Sequence, residues 1–397
     1  MRFSILLIII FSGAVTNAAY SGDITAIIIN GSIIGGLQSP PSTWTPAIVQ
    51  GAQYLAALKS NHGSLAFQQL AVSHAAHNTL ARVFHGTRNY ASTDKSLKSI
   101  LSLIGHDPTS DEEAARFAIS RMADYGINYF VDYVYGPLNT GVYQATPGGS
   151  PLPDTPQAQF VKLFASVGDV TQFSLSPPPD PAKAGYQGYL LYGKDEGEAN
   201  STVRKSHDSD TAYFWRESSP TMAGAVIGET LATNVLASTK FFAQLNFALA
   251  NGGIVAWHVK FQSLNWRPVT TIQRTDIWLS AGLNVSDPAW APLLSPTPSH
   301  PDYPSTHATF SGAGSAVMSR ATAYNNGSDD VSVTVSSNVT LNNRGVITRT
   351  YTSLTEAAIE NGDSRVFGGM HFPFSSGAGI TLGNAVALKT TVNFDEH

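Results

Sequence analysis

The sequence predicts a mainly helical protein, and three observations carry that reading. Apolar residues recur at helical spacing from Ala47 onward, a long stretch from Met222 to Trp257 runs with few breaks, and only residues 331–352, rich in Val and Thr, look strand-like. With 397 residues, 43% of them hydrophobic and 13% charged, the chain can bury a large core.

Taken in order, residues 1–19 place a basic Arg2 before an apolar run from Ile5 to Phe11 and then small residues. That is the order of a secretory signal peptide, and the run is short for a bilayer span; an uncleaved anchor is the alternative. Residues 20–45 read as an irregular lead-in. Ile48, Tyr54, Leu55 and Leu58, then Leu65, Leu70, Val72, Leu80 and Val83, have the spacing of amphipathic helices, and Ser110 followed by acidic residues opens another. Between Thr146 and Ser219, Pro/Gly clusters leave only Gln157–Ser166 as a short helical candidate, so this part reads as a long connection, partly a lid or a surface wrap. Later helical candidates are Thr306–Tyr324, Ser353–Asn361 and Ser376–Thr391. The expected organisation is a leader (1–19), an N-terminal helical region with its Pro/Gly-rich connection (20–208) and a C-terminal helical region (209–397).

Formal charge is −5 and basic residues form no run, which argues against a nucleic-acid or anionic-membrane partner. Any anion must then be held by a few placed cations. Cysteine is absent, which removes disulfides, thiolate metal sites and cysteine nucleophiles. Sequons at Asn30, Asn200, Asn284, Asn326 and Asn338, in stretches read as loops, fit a glycosylated, secreted chain with no transmembrane association after cleavage of the leader.

Three segments carry chemistry. In Lys260-Phe-Gln-Ser-Leu-Asn-Trp-Arg267-Pro268, two cations lie seven positions apart, about two helical turns, so both can leave one face, with Pro268 stopping or bending the helix. An isolated Lys/Arg pair is commonly a solvated surface feature, but Trp257, Phe261, Leu264 and Trp266 draw this one inward. The second segment, Ser299 to Phe310, runs a Pro-rich loop into a small-residue helix. Ser305 and the free N–H groups of a helix start form an anion receptor, and His307 adds proton exchange; an ordinary Ser cap beside a histidine is the plainer reading. The third, Asp363-Ser364-Arg365-Val-Phe-Gly-Gly-Met-His371, again pairs an arginine with a histidine, across two glycines that let the backbone approach a ligand. His74 and His77 could share a helical face, but no further metal ligand is evident, and Gly312-x-Gly314 carries no nucleotide meaning.

Together, Lys-x6-Arg-Pro, Pro-Ser-x-His and Ser-Arg-x5-His resemble the shared signature of the vanadium-dependent haloperoxidases and type 2 phosphatidic acid phosphatases. Tyr-Pro-Ser-x-His-Ala-Thr-Phe-Ser-Gly and the RTYTSLTEAA stretch from Arg349 are similar to the soluble haloperoxidase branch, over roughly Ser209 to Leu388. The resemblance implies an all-α fold of two packed helical bundles. It implies that Lys260, Arg267 and Arg365 neutralise the equatorial oxygens of a bound vanadate, with Ser305 and the Thr306 N–H as further donors. His371 would be the apical ligand to vanadium and His307 the acid–base group, while Lys260 would polarise bound peroxide. The implied substrates are hydrogen peroxide and halide. Alternatively, the same pocket without metal would serve a secreted acid phosphatase, His371 attacking a phosphate ester and His307 protonating the leaving group; a non-catalytic anion binder is a third reading.

Four positions depart from the family pattern or bear on the pocket. Thr306 stands where glycine is usual, and its side chain could crowd the ligand. Ser375 stands four after His371, where an Asp often orients the imidazole, so its presence could weaken the ligand. His300 resembles the bromoperoxidases at its position and tilts the halide toward bromide or iodide. Glu217 is a loose candidate for a carboxylate partner of a pocket arginine.

Overall fold

The computed structural model describes residues 41–83, 133–216, 234–274, 285–326, 330–337, 339–341 and 345–396. The leader, the helix expected from Ser110, the stretch from Met222 to the end of the 217–233 segment, Glu217, and the sequons at Asn30, Asn284 and Asn338 lie outside these residues. Among the described residues are nine α-helices and one two-stranded sheet.

The centre is α5, Val235–Ser263. Asn234 caps it by accepting from the Ala237 N–H at 2.9 Å, satisfying one of the donors a helix start leaves unpaired. It is buried around most of its circumference, as expected of a helix apolar on all sides. Helices α1 (Pro41–Ser60) and α2 (Leu65–Val83) pair with each other, and α1 lies along α5. Against other faces of α5 lie α7 (Thr306–Asn326) and α9 (Pro373–Glu396), with α8 (Leu354–Phe367) packed on α7 and α9. The α7–α9 crossing is close because its contact positions are glycines. A Cβ on Gly312 would meet the Ile380 carbonyl at 2.5 Å, and one on Gly383 or Gly379 would enter the carbonyls of Thr309 or Ser305. This brings the start of α7 against the start of α9.

The strand-like region is a hairpin, β1 (Asp330–Ser337) antiparallel to β2 (Ile347–Ser353), in register Val333↔Tyr351 and Val335↔Arg349. Ser353 ends β2 and caps α8 by accepting from the Glu356 N–H at 3.3 Å. Asn326 is the last residue of α7 rather than a loop residue.

The connecting region is more ordered than its composition indicates. Instead of a helix over Gln157–Ser166 it has a 3-10 turn at Pro156–Phe160, then a second at Val170–Gln172, and two α-helices, α3 (Ala184–Gly197) and α4 (Ser206–Phe214). Asn251 of α5 fastens this region by bonding the Phe164 N–H at 2.7 Å and the Phe164 carbonyl at 3.2 Å. The glycines that disguised α3 admit neighbours: a Cβ on Gly197 would stand 2.7 Å from the Gly369 Cα, and one on Gly193 would touch Phe372. No described helix is long and apolar enough to cross a membrane.

Candidate functional site

Lys260 and Arg267 converge, but not from one helical face. Helix α5 stops at Ser263, where Leu264 takes a left-handed conformation (φ 47°) and its N–H closes on the Lys260 carbonyl at 2.8 Å. Arg267 then caps a new short helix, α6 (Pro268–Gln273), with Pro268 at its first position. The proline starts a helix here because its missing N–H is one that a first turn leaves unpaired anyway.

Both cations are buried completely. Lys260 Nζ donates to the carbonyls of Pro301 (2.7 Å), Asp302 (3.0 Å) and Pro304 (2.5 Å), so its three protons brace the Pro-rich loop from below. Arg267 donates through Nε to the His300 carbonyl (2.8 Å) and through Nη1 to the Met370 carbonyl (2.8 Å), and its guanidinium lies against two imidazoles, Nη1 3.0 Å from Nε2 and 3.4 Å from Nδ1 of His371, Nη2 2.9 Å from Nδ1 and 3.4 Å from Nε2 of His300. His300 is thus held between Arg267 and the Pro301 carbonyl, 3.3 Å from its Nδ1, with its ring 4.6 Å from that of Trp257.

The braced loop delivers Ser305 to the head of α7. The Ser305 N–H bonds the Ser375 carbonyl at 2.9 Å, tying it to α9. Thr306 is buried, and its hydroxyl has no partner among the described residues. His307, one residue on, keeps some exposure and has its Nε2 3.4 Å from the Arg216 carbonyl.

Arg365 sits in the last turn of α8, 4% exposed, with Nε and Nη1 unpartnered. Its carbonyl accepts the N–H groups of Met370 (2.9 Å) and His371 (3.2 Å), which folds His371 back toward Arg267. Gly368 and Gly369, expected to let the backbone approach a ligand, instead end α8. Gly369 is left-handed (φ 72°), and a Cβ there would stand 2.5 Å from the Gly197 carbonyl and 2.7 Å from Pro292. They serve packing on α3.

The residue that sequence reasoning left without a role is Asp302. It is fully buried, accepts from His371 Nδ1 at 2.8 Å, and takes the Ser375 hydroxyl on its other oxygen. The orienting carboxylate that Ser375 was expected to lack therefore arrives from the loop. Its signal was an acidic residue between two prolines in a loop otherwise free of charge, Pro301-Asp302-Tyr303-Pro304.

Among the described residues, three cations, Lys260, Arg267 and Arg365, face one carboxylate in this buried space. Burial pushes Lys260 well down and Arg267 pushes it further, against Asp302. Burial, then Arg267 and Arg216, hold Arg365 down to about 9, and burial with Arg365 holds His307 down to about 3. Burial raises Asp302 to about 6 against the pull of Arg267, the Ser375 hydroxyl and Lys260. Buried positive charge in excess, with guanidinium N–H groups unpaired, is what a multiply charged oxyanion offsets. Vanadate or phosphate fits this donor set: Arg365 Nε and Nη1, the Thr306 hydroxyl and the first-turn N–H groups of α7 can surround its oxygens, and His371 Nε2 would be available as a nitrogen ligand.

Residues 240–396 match the VCPO second helical-bundle domain. A vanadium chloroperoxidase from Curvularia inaequalis is 28% identical over 177 residues, which span 35% of this chain and 28% of that protein, so the match covers little more than a quarter of the relative's length. The crystal structure of a bacterial vanadium-dependent iodoperoxidase is similar with a TM-score of 0.76 at 19% identity, covering 96% of this chain and 98% of that one. The apo-type bacterial vanadium-dependent chloroperoxidase gives 0.67 at 18% identity, covering 89% and 93%. The fold is that of the vanadium haloperoxidases, and the resemblance read from the three motifs is borne out.

Proposed function

We propose that this chain is a secreted vanadate-dependent haloperoxidase that oxidises halide with hydrogen peroxide to hypohalous acid, with bromide or iodide preferred to chloride. The observation that carries the reading is the set of three buried cations around His371 and His307 with, among the described residues, Asp302 alone to balance them, Arg365 keeping N–H groups free. The similarity to haloperoxidase structures along nearly the whole chain supports it. Bromide or iodide is favoured by His300 and by the iodoperoxidase likeness; secretion and glycosylation rest on residues 1–19 and the sequons, of which Asn200 is exposed.

Arg365 and Arg267 would hold the oxygens of the anion, with Ser305 and the Thr306 N–H at the α7 start, and His371 Nε2 would be the metal ligand. When bound, vanadate supplies a Lewis acid that activates hydrogen peroxide for attack by halide without changing oxidation state. His307, neutral beside Arg365, accepts the peroxide proton. Lys260 holds the loop that carries Asp302 and Ser305, and its charge reaches the same space.

The test is reconstitution of the purified protein with orthovanadate, followed by peroxide-dependent bromination and iodination of a phenolic dye. Turnover is expected to require vanadate and to vanish in His371→Ala. Full vanadate occupancy with no turnover of any halide would refute the proposal, and burst release of phenol from a phosphate ester with a phosphohistidine at His371 would establish the phosphatase reading instead.

A further inference from the structure

A neutral imidazole carries its proton on one ring nitrogen, and the neighbour of that nitrogen decides which. His371 has one neighbour that decides between them. On the Nδ1 side stands the Asp302 carboxylate at 2.8 Å, which only accepts. Arg267 Nη1 lies 3.0 Å from Nε2 and 3.4 Å from Nδ1, against the ring rather than in line with either lone pair, and so leaves the choice to Asp302. The carboxylate demands the form protonated at Nδ1 and bare at Nε2.

The carboxylate comes from an unexpected place. One turn beyond His371, α9 offers Ser375, whose hydroxyl donates to Asp302 Oδ2, while the carboxylate itself lies 69 positions earlier on the Pro-rich loop. The Asp302 backbone is fixed on both sides: its N–H donates to the Asn265 carbonyl at 2.8 Å and its own carbonyl accepts from Lys260 at 3.0 Å. The neighbouring Ser305 N–H reaches the carbonyl of the same Ser375 at 2.9 Å. Loop and helix are therefore joined twice, through a side chain and through the backbone.

We propose that Asp302 and Ser375 are a transposed positioning pair: the loop supplies the carboxylate, the serine on α9 holds it, and together they fix His371 with Nδ1 protonated and Nε2 presented to the oxyanion. The tautomer follows from geometry alone, and only the identity of what Nε2 binds rests on the proposed function. Because Asp302 and Ser305 share one loop, the piece that orients the histidine also positions the anion-binding serine.

The test uses the full-length, metal-free protein with 15N-labelled histidine, His371 being assigned by its loss in His371→Gln. Long-range 1H–15N correlation at neutral pH is expected to show His371 Nδ1 protonated and Nε2 not. Asp302→Ala is expected to give mixed tautomers and to weaken orthovanadate binding, measured by calorimetry, about 10–100-fold. The transposed double variant, Asp302→Ser with Ser375→Asp, is expected to restore the single tautomer and most of the affinity, which a merely structural role for Asp302 would not do. Asp302→Asn preserves shape should the alanine variant not fold, and is expected to lower vanadate affinity without scrambling the loop. A wild-type His371 protonated at Nε2, an Asp302→Asn protein with unchanged tautomer and affinity, or a folded double variant that recovers neither would overturn the proposal. Vanadate-loaded protein that follows these expectations yet oxidises no halide would instead refute only the haloperoxidase reading.

Discussion

Lys260 and Arg365 are both buried cations, yet replacing each with methionine is expected to move the stability of the ligand-free protein in opposite directions. Lys260 places its three protons on three loop carbonyls. Lys260→Met leaves those acceptors buried and unpaired, at about 1–3 kcal/mol each, partly offset by no longer burying an ammonium; the net loss is about 1–4 kcal/mol. Arg365 has Nε and Nη1 unpartnered and is held down to about 9. At pH 7 the group is charged folded and unfolded alike, so the full penalty applies and fades only as pH climbs past 9. That penalty is about 5 kcal/mol at face value, and relaxation leaves about 2–4 kcal/mol to be recovered in Arg365→Met. The same substitution removes two charge-assisted donors, about 3–6 kcal/mol, or roughly 10²–10⁴ in oxyanion affinity. The assay is calorimetric melting with and without orthovanadate: at 100 times its dissociation constant the ligand stabilises wild type by about 2.7 kcal/mol. Arg365→Met should melt above wild type without ligand and gain nothing from vanadate. If it melts lower, or still responds to vanadate, the assignment of Arg365 as an anion-ready group is wrong.

Other expectations follow from elsewhere in the molecule. Burial holds Asp154 up to about 7, so the folded state keeps a proton that the unfolded chain has lost. That contribution to stability is complete below about pH 4 and gone by about pH 7, and Asp154→Asn should flatten it, by about 1–3 kcal/mol in urea melts at pH 5 and pH 8. Gly383→Ala drives a methyl into the Thr309 carbonyl and to 2.6 Å from the Ala313 nitrogen, costing about 1–3 kcal/mol and lowering vanadate affinity by parting α7 from α9. Gly377→Ala on the same helix meets nothing within 4 Å and should stabilise by about 1 kcal/mol in the same denaturation series. Glu360 Oε1 accepts from Trp215 Nε1 and Tyr351 hydroxyl, each at 2.8 Å, and from Arg349. Tyr351→Phe should cost about 1 kcal/mol and shift the Trp215 fluorescence; an unchanged spectrum would show that the network does not hold the hairpin.

The helical class, the hairpin and the later helices were legible because each has a strong local period: Val and Thr alternation for the hairpin, Ser353 with Glu356 for the start of α8. Helix α3 was not legible, since Gly185, Gly188, Gly193 and Gly197 lower its intrinsic propensity, and its stability comes from the residues it meets, Phe372 and Gly369, which are remote in sequence. The three motifs named the residues that gather at the site but not how they gather. Seven positions looked like two helical turns, whereas a left-handed Leu264 and a new helix at Pro268 bring Arg267 to Lys260. Nor could local spacing reveal that Asp302 answers for Ser375, because that exchange exists only between segments 73 positions apart.

Whether such a site favours taking a proton or giving one turns on His307. Burial and Arg365 depress its imidazole most, Arg267 and Lys260 add to this, and only the Arg216 carbonyl pulls the other way. At neutral pH the ring is therefore uncharged, with a lone pair to offer and no second proton to release. Hydrogen peroxide needs a base and finds one without prior protonation. A phosphate ester needs an acid for its leaving alkoxide, and the cations that attract the anion oppose charging the histidine. An oxyanion lodged among Lys260, Arg267 and Arg365 would cancel much of that opposition and make His307 a stronger base once the anion is in place. The same positive field thus selects the anion and, until the anion arrives, keeps His307 uncharged.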